Sequence, residues 1–388
     1  MILKSDQETV NANITTGLSR LGLSRSFWIV GLVLFVGLPL LNLLPSDSMF
    51  HVSDFSLNLF GKFFAFAILA LGIDLIWGYT GVLSLGHGVF FGLGAYAIGM
   101  HLMLGIGAEG VYGTALPDFM VWNQVTELPW FWKPFSSLGF SLAAVVLVPM
   151  LFAALFGFLA FRSRIRGVYF AIITQALALV AWLVFNRNET NLGGTNGLTD
   201  FKHILGYPLH DPATQRGLYF LTVFFLGVAY LLCRWITQSR AGRVLVAIRD
   251  CEQRVLFSGY SPANYKLFVF VISAGLAGIA GALYVPQVGI ITPNQMGVLP
   301  SIEMAIWVAV GGRGTLTGAI VGAVGVNWLR SFLTNHFPEL WPFFLGGLFI
   351  AVVMFFPKGC VGVFSNLWKM LRALKSKPIS PKAVQTTE

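Results

Sequence analysis

Residues 61–79 read GKFFAFAILALGIDLIWGY, with one lysine and one aspartate among otherwise uncharged residues. An α-helix rises about 1.5 Å per residue and the hydrocarbon core of a bilayer is about 30 Å thick, so a stretch of about 20 such residues crosses a membrane once. Similar apolar stretches recur between Phe27 and Pro357, and the short segments between them hold almost all the lysines and arginines. The pattern predicts an all-α, polytopic transmembrane helical bundle.

The composition of the chain supports the same class. Of its 388 residues, 56% are hydrophobic and 11% are charged, and the mean hydropathy is +0.75. A soluble chain of this composition would have more apolar side chain than its core could bury. The formal net charge of +9 does not indicate nucleic-acid binding, because the basic residues lie beside the apolar stretches rather than in a stripe interleaved with aromatic residues. Cys233, Cys251 and Cys360 are far apart, so we expect neither a metal site nor a disulfide framework.

Windows of about 20 residues predict ten spans along the chain. They lie near 27–44, 61–79, 88–104, 138–161, 167–185, 217–235, 267–285, 300–312, 316–333 and 340–357. We expect the first to be a span rather than a cleaved signal peptide, because a polar segment of about 26 residues precedes it and no small-residue cleavage site follows it.

The side of the membrane that each segment faces is predicted from the positions of lysine and arginine. With the N-terminus in the cytoplasm, inner segments hold 18 of these residues and outer segments hold 4, leaving out those within spans. Since cytoplasmic segments carry the excess of positive charge, both termini are predicted to be cytoplasmic. The predicted organisation is a cytoplasmic tail at 1–25, a transmembrane domain at 26–362 with periplasmic segments at 105–137 and 186–216 and a cytoplasmic loop at 238–266, and a cytoplasmic tail at 363–388.

Two glycine-rich segments interrupt the apolar pattern. Residues 78–88, GYTGVLSLGHG, place glycines and hydroxyl groups at membrane depth, where irregular backbone is stable only if protein or a cavity covers it. The segment is interpreted either as a broken or re-entrant element or as a tight turn on the cytoplasmic side. Residues 311–318, GGRGTLTG, form a comparable turn. Small residues four apart, which let helices approach closely, accompany both segments: Gly88 and Gly92 with the first, and Gly314, Gly318 and Gly322 with the second.

The segment from Ser239 to Tyr265 predicts a short amphipathic helix on the cytoplasmic side. Its apolar residues are Val244, Ala247, Ile248 and Val255, its charged residues are Arg243, Arg249, Asp250, Glu252 and Arg254, and Gly259 with Pro262 ends it. Such a helix lies on lipid headgroups or docks into a groove of a soluble partner. The two acidic residues favour the protein partner.

Ionisable groups inside a membrane are costly and are therefore candidates for function. The candidate pathway residues are Asp74, Tyr79, Ser84, His87, Gln175 and Glu303. For Asp74 the alternative is a structural hydrogen bond, and for Gln175 it is hydrogen bonding between helices. Lys62 and Arg330 lie near span ends and are interpreted as structural residues whose side chains extend to the interface.

Three classes of function suit a polytopic chain. The sequence contains no GxxxxGK followed by Ser or Thr, so ATP binding by that device is not expected, and it contains no HExxH or nucleophile motif that would support a membrane enzyme. An ion-driven carrier would need paired carboxylates inside the membrane, whereas Asp74 and Glu303 are isolated in the sequence. The interpretation that we favour is a transport subunit driven by a separate energy-supplying partner.

Several motifs between residues 55 and 362 point to a known family. They are DLIWGYTGVLSLGHGVFFGLGAYAIGM from Asp74, RSRIRGVYFAIITQAL from Arg162, GGTNGLTDF from Gly193, SRAGRVLVAIRD from Ser239, YKLFVFVISAGLAGIAGALYVPQVGIITPNQ from Tyr265 and SIEMAIWVAVGGRGTLTGAIVGA from Ser301. With these motifs the chain resembles the permease subunits of ATP-binding-cassette (ABC) importers of the branched-chain amino acid type, and within them the urea branch. The outer segment 105–137 is similar to an insertion of that branch, while Thr195, Cys251 and Gln253 depart from the family pattern.

The resemblance implies an ABC importer permease in a bacterial inner membrane, with urea as cargo and branched-chain amino acids or short-chain amides as the alternative. It implies a second permease subunit in a heterodimer, two ATP-binding subunits and a periplasmic solute-binding protein. It implies no metal and no cofactor, since the partner subunits use the ATP. Residues 186–216 are either the docking site of the binding protein or a plain loop. The cytoplasmic helix is the implied coupling helix, contacting an ATP-binding subunit through Arg243, Val244, Ala247, Ile248, Arg249, Asp250, Glu252 and Gly259.

Overall fold

The chain folds as a bundle of α-helices in the computed structural model, which describes residues 31, 33–45, 48, 51–163, 165, 167–355 and 359–360. The two predicted tails at 1–25 and 363–388 lie outside the described residues. The helices are α1 Val33–Asn42, which begins with a π-helical turn at Val33–Gly37, α2 Asp54–Thr80, α3 His87–Leu104, α4 Asp118–Trp122, α5 Leu138–Arg162, α6 Val168–Phe185, α7 Pro212–Gln238, α8 Arg240–Phe257, α9 Pro262–Val288, α10 Val298–Gly311, α11 Leu316–His336 and α12 Trp341–Phe355.

The predicted helical membrane bundle is confirmed. Among the described residues, the helices long and apolar enough to cross a bilayer are the 7 elements α2, α3, α5, α6, α7, α9 and α11. Shorter apolar helices, α1, α10 and α12, occupy the positions of the other predicted spans. The count of ten crossings and the cytoplasmic termini stay predictions.

Several helices begin earlier than their apolar stretches. Helix α2 begins at Asp54 rather than at residue 61, because the Ser53 hydroxyl caps it by accepting a hydrogen bond from the amide of Ser56. Helix α7 begins at Pro212, where the Asp211 carboxylate accepts from the amide of Ala213, so the predicted outer segment 186–216 ends at Asp211. Hydropathy marks the apolar part of a helix, whereas the cap marks where the helix begins.

The bundle has two unlike ends. One end carries α8 and the turn between α10 and α11, and we call it the basic end. The other end, the loop end, carries residues 105–137 and 186–211, which contact each other where the Trp132 indole donates to the Asn191 carbonyl at 3.1 Å. Two short antiparallel pairs lie in the loops of this end: β1 Leu198–Thr199 with β4 Ile290–Ile291, and β2 His203–Ile204 with β3 Tyr207–Pro208.

Helix α9 lies at the centre and packs against α2, α3 and α5. The most apolar windows of α2 and α3 are each 83% buried, whereas those of α5 and α6 are 28% and 22% buried. The core is therefore built from α2, α3 and α9, and α5 and α6 present apolar side chains such as Leu155 and Tyr169 to the surroundings.

Two helices, α3 and α10, begin inside the bundle rather than at its ends. After α2, residues 82–84 have no regular secondary structure, Val82 and Ser84 are buried, and α3 begins at His87. The His87 ring contacts Ser273, about 17 Å along α9 from its first residue. Helix α10 begins beside it, since the amide of Gly88 donates to the Ser301 hydroxyl at 3.2 Å. The broken-element interpretation of residues 78–88 therefore fits the structure better than a tight turn does, since the segment runs from the basic end into the bundle.

Candidate functional site

At the basic end, α2 is locked between α8 and the turn that joins α10 to α11. The Asp74 carboxylate accepts a hydrogen bond from the amide of Gly314 at 2.7 Å, and the Arg249 guanidinium donates to the carbonyl of Gly78 at 2.9 Å. A Cβ atom at Gly78 would lie 2.7 Å from the Cα of Gly314, so the two chain segments touch through backbone alone. We call Asp74, Gly78, Arg249 and Gly314 the basic-end junction.

Glycines also allow close helix contacts elsewhere. A Cβ at Gly322 would lie 2.7 Å from the amide nitrogen of Gly311, and a Cβ at Gly318 would lie 2.8 Å from the Gly311 carbonyl oxygen, so α10 and α11 meet backbone to backbone. Near the middle of the bundle, a Cβ at Gly88 would lie 2.7 Å from the carbonyl oxygen of Gln295, and Gly92 faces the Met296 side chain. The predicted packing glycines all lie in such contacts.

The predicted amphipathic helix is present as α8, and the Ser239 hydroxyl caps it by accepting from the amide of Gly242. Its backbone is kinked at Cys251, where φ is −158° and ψ is 88°. The helix ends before Gly259, whose φ of +83° suits glycine.

The buried face of α8 differs in part from the predicted apolar face. Leu245 and Ile248, three residues apart, are buried, whereas Ala247 is exposed and Val244 is half-buried. The reason is the 3.6-residue period, which places Leu245 above Ile248 and rotates Ala247 to the other side.

Beyond the kink, α8 is fixed to α9 by an ion pair. The Lys266 ammonium donates to the Glu252 carboxylate at 2.8 Å, and the Lys266 side chain is 7% exposed. Of the predicted contact residues, Arg243, Ala247 and Asp250 are exposed, whereas Ile248 and Glu252 face the bundle.

At the loop end the helices separate around a cavity of about 720 Å³, which we call the loop-end chamber. Residues of α2, α6, α9, α10 and α11 and of the segment 294–297 line it. The neutral hydrogen-bonding groups among them are Trp182, Tyr284, Asn294, Gln295, Asn327, Ser331, Thr334 and Asn335, and the charged ones are Lys62, Glu303 and Arg330. Buried aromatic side chains form part of its wall, including Phe66 and Trp307.

The charged residues of the chamber are placed unequally. The Arg330 guanidinium and the Glu303 carboxylate form an ion pair at 2.5 Å. The Lys62 ammonium lies 5.9 Å from the ring centre of Phe66 and 5.9 Å from that of Tyr284. Glu303, which is isolated in the sequence, therefore has a basic partner in the fold.

Of the predicted pathway residues, Glu303 lines the chamber and the others do not. His87 is fully buried, with Nδ1 3.0 Å from the Ser84 hydroxyl and Nε2 2.7 Å from the Ser273 hydroxyl. The Ser273 hydroxyl donates to the carbonyl of Gly72 at 2.6 Å, so it accepts from Nε2–H, and Nδ1 accepts from Ser84. His87 and Ser84 therefore hold the broken segment against α9.

The other predicted pathway residues are dispersed. Asp74 belongs to the basic-end junction, where it braces a different glycine turn from the one next to it in sequence. Tyr79 is half-buried near the end of α2, and Gln175 is half-buried on α6. The described residues contain no group of three His, Cys, Asp or Glu side chains that could hold a metal ion.

Lys62 lines the chamber although its position near a span end indicated a structural residue, and Asn327, an uncharged polar residue in an apolar span like Gln175, lines it as well. The signal for Lys62 was the Ser53 cap, because counted from the start of α2 at Asp54 Lys62 lies about 12 Å along the helix. Arg330 lies about 9 Å from the end of α11, on the same loop-end side. Buried Tyr284 and Trp307 read as ordinary apolar residues in the sequence, and only the fold brings them to the same cavity.

Comparisons with known proteins show which family the chain belongs to. Residues 55–353 match the family described as "Branched-chain amino acid transport system / permease component". The high-affinity branched-chain amino acid transport system permease protein LivM of Salmonella typhimurium is 26% identical over 333 residues, covering 80% of this chain and 71% of that protein. BraD, the corresponding permease protein of Pseudomonas aeruginosa, is 25% identical over 307 residues, covering 76% of this chain and 91% of that protein.

A third relative is the autoinducer 2 import system permease protein LsrC of Salmonella paratyphi B, which is 28% identical over 277 residues and covers 66% of this chain and 74% of that protein. No solved structure matches the chain. The apolar helices and the family together place the protein in the bacterial inner membrane as a multi-pass protein. With a match that spans residues 55–353, the chain belongs to the family of permease components of branched-chain amino acid transport systems.

Proposed function

We propose that the chain forms part of the translocation pathway of an ATP-driven importer whose cargo is urea. Membership of the family makes it a permease component of an ABC-type importer, so the cargo is the finer part of the proposal. The alternatives are branched-chain amino acids, which the printed names of LivM and BraD specify for those relatives, and short-chain amides.

The observation that carries the urea proposal is the lining of the loop-end chamber. It holds several side-chain amides and hydroxyls, including Asn294, Gln295 and Asn327, and its Glu303 and Arg330 charges pair with each other, which leaves Lys62 as the one excess charge among the described residues that line it. Urea is neutral and both donates and accepts hydrogen bonds, so such groups suit it. The apolar lining residues Leu179 and Leu299 are the feature that favours an aliphatic amino acid instead.

The basic end is the proposed cytoplasmic side, because α8 and the α10–α11 turn carry positive charge there. In this orientation the exposed face of α8, with Arg243, Ala247 and Asp250, contacts an ATP-binding subunit. Arg249 on the same helix reaches the carbonyl of Gly78, so a displacement of α8 acts directly on α2. The ATP is used by that partner and not by this chain.

The loop end is the proposed periplasmic side. The Glu109 carboxylate accepts a hydrogen bond from the His203 ring at 2.8 Å, and the Glu109 backbone carbonyl accepts one from the Lys202 ammonium. Residues 105–137 and 186–211 therefore form one folded unit. We assign docking of a periplasmic solute-binding protein to 186–211. A second permease subunit, in a heterodimer, completes the pathway.

Uptake of isotope-labelled urea tests the proposal. Cells lacking the gene are expected to lose energy-dependent urea uptake and to regain it with the gene restored. Unlabelled acetamide and leucine, each in excess, serve as competitors. If the restored gene returns uptake of leucine and not of urea, the cargo is an amino acid rather than urea. Urea uptake that persists without the ATP-binding partners would exclude the ATP-driven mechanism.

A further inference from the structure

Lys62 in the loop-end chamber has no ion pair and no hydrogen bond with the part of the chain that the structure describes. Its contacts there are the faces of Phe66 and Tyr284, with its ammonium 5.9 Å from each ring centre. Attraction to a ring face at this distance is weaker than a charge-assisted hydrogen bond. The ammonium is therefore held near the cavity wall with its strong donors available.

The surrounding charges favour an oxygen acceptor at this position. Arg330 lies close enough to Lys62 for the two cations to repel each other, while Arg330 is itself paired with Glu303 at 2.5 Å. The chamber thus has one positive charge in excess of its carboxylate. A half-buried ammonium beside a second cation is stabilised by any oxygen that enters the cavity.

The wall beside Lys62 is aromatic, and the Phe66 ring is tilted by 31° to that of Tyr284 and by 42° to that of Trp307. The ring centres of Phe66 and Tyr284 lie 5.4 Å apart, and those of Phe66 and Trp307 lie 4.8 Å apart. A planar solute can contact such a wall while its edge remains free for hydrogen bonds. The carboxylate of Glu303, fixed by Arg330, supplies an acceptor in the same chamber.

We propose that Lys62 donates a hydrogen bond to the carbonyl oxygen of the cargo, and that the loop-end chamber is a binding site for urea and primary amides. Such solutes combine one carbonyl acceptor for the ammonium with N–H donors for Glu303 or the chamber amides, and their planar faces fit the aromatic wall. The assignment rests on the proposed function, and it gives Lys62 a role in binding where its position near a span end predicts a structural one.

The test compares urea with thiourea, whose sulfur is a weaker hydrogen-bond acceptor than oxygen. The complete importer with its partner subunits is reconstituted in proteoliposomes, and initial uptake rates of both solutes are measured for the wild type, Lys62→Met and Lys62→Gln. Because the same binding protein serves every sample, its own discrimination cancels when the urea-to-thiourea ratios are compared. Lys133→Met, an exposed lysine outside the chamber, is the matched control.

Loss of one charge-assisted hydrogen bond to the cargo corresponds to a fall in the uptake rate of about tenfold or more. Lys62→Met is therefore expected to lower the urea rate by about tenfold and the thiourea rate by a much smaller factor, with Lys62→Gln between Lys62→Met and the wild type because its amide still donates. Lys133→Met is expected to leave both rates unchanged.

Unchanged rates in both Lys62 variants, or an equal fall for the two solutes, would overturn the assignment and leave the urea proposal intact. A wild-type complex that does not transport urea would overturn both. Lys62→Gln protects the test against misfolding of Lys62→Met, because it keeps a polar side chain of similar length.

Discussion

The two ends of the bundle are held together by different kinds of contact. At the basic-end junction, chain segments touch through glycine backbone, and two hydrogen bonds, Asp74 to Gly314 and Arg249 to Gly78, tie three elements together. At the loop end the same helices α2, α10 and α11 diverge around a cavity of about 720 Å³ lined by amides, hydroxyls and charges. Alternating access requires that one end be closed while the other is open. In this structure the chain is closely packed at the basic end and open at the loop end.

The largest expected effect is at Gly78, because the close packing of the basic end requires that this residue have no side chain. Gly78→Ala would place a Cβ 2.5 Å from the amide nitrogen of Gly314, a contact that neither backbone can relieve by rotating a side chain. We expect destabilisation of about 3 kcal/mol or more, with little folded protein in the membrane. Size-exclusion chromatography and the thermal midpoint of the detergent-solubilised protein measure it.

The matched control is Gly227→Ala, in helix α7, where no atom lies within 4 Å of the added Cβ. It is expected to be neutral or slightly stabilising, because alanine restricts the unfolded chain more than glycine does. An unaltered midpoint for Gly78→Ala would show that the basic end is less tightly packed than the structure indicates.

The next effect concerns the transmission of movement from α8 to α2. Arg249→Ala removes the hydrogen bond to the Gly78 carbonyl while leaving the buried face of α8 intact. We expect transport to fall about tenfold, the equivalent of one charged hydrogen bond, with ATP hydrolysis reduced much less. The measurement is the number of solute molecules moved per ATP hydrolysed in the reconstituted importer.

Gln253→Ala, an exposed position on the same helix, is the control for Arg249→Ala and is expected to keep the wild-type ratio. Equal losses of transport and hydrolysis in Arg249→Ala would mean that the residue stabilises the docked complex rather than transmitting movement.

At the loop end, removal of one charge is expected to lower the free energy of unfolding less than the added methyl group at Gly78 does. The Glu303 and Arg330 side chains are 17% and 47% exposed, so water in the chamber can replace part of their attraction. Glu303→Ala is expected to lower the free energy of unfolding by about 1 kcal/mol or less. A double-mutant cycle with Arg330→Ala, read from thermal midpoints, measures the pair, and a coupling of several kcal/mol would show that the chamber is dry and the ends are alike.

The sequence predicted these two ends to different degrees. Glycine spacing identified the close contacts of Gly318 and Gly322 on α11 and of Gly314 in the turn before it, because a small residue every four positions is a local property of the chain. Residues 78–88 likewise indicated from composition either a broken element or a tight turn, and the structure favours the first. In contrast, Glu303 was isolated in the sequence, and its pairing with Arg330 depends on how α10 packs against α11.

The same limit applies to His87 and Lys62. An ionisable group at membrane depth is a functional candidate by cost alone, yet His87 is satisfied on both ring nitrogens by Ser84 and Ser273. Lys62 near a helix end was expected to reach the interface, and instead it lines a cavity that exists only after five elements assemble. Local patterns therefore predict backbone contacts better than they predict which polar side chains share a cavity.

The smallest expected effect is also at the basic-end junction. Two variants of Asp74 distinguish the contribution of its negative charge from that of its hydrogen bond. One oxygen of the Asp74 carboxylate accepts from the Gly314 amide at 2.7 Å, and the other is buried with no hydrogen-bond partner among the described residues. Asp74→Asn keeps an accepting oxygen and removes a buried charge, so we expect a change in the free energy of unfolding within about 0.5 kcal/mol. Asp74→Ala leaves the Gly314 amide without an acceptor and is expected to cost about 1–3 kcal/mol. Thermal midpoints that fall equally for the two variants would show that the closed end depends on the negative charge itself; a midpoint retained by Asp74→Asn would show that a neutral acceptor is enough to hold the two glycine turns together.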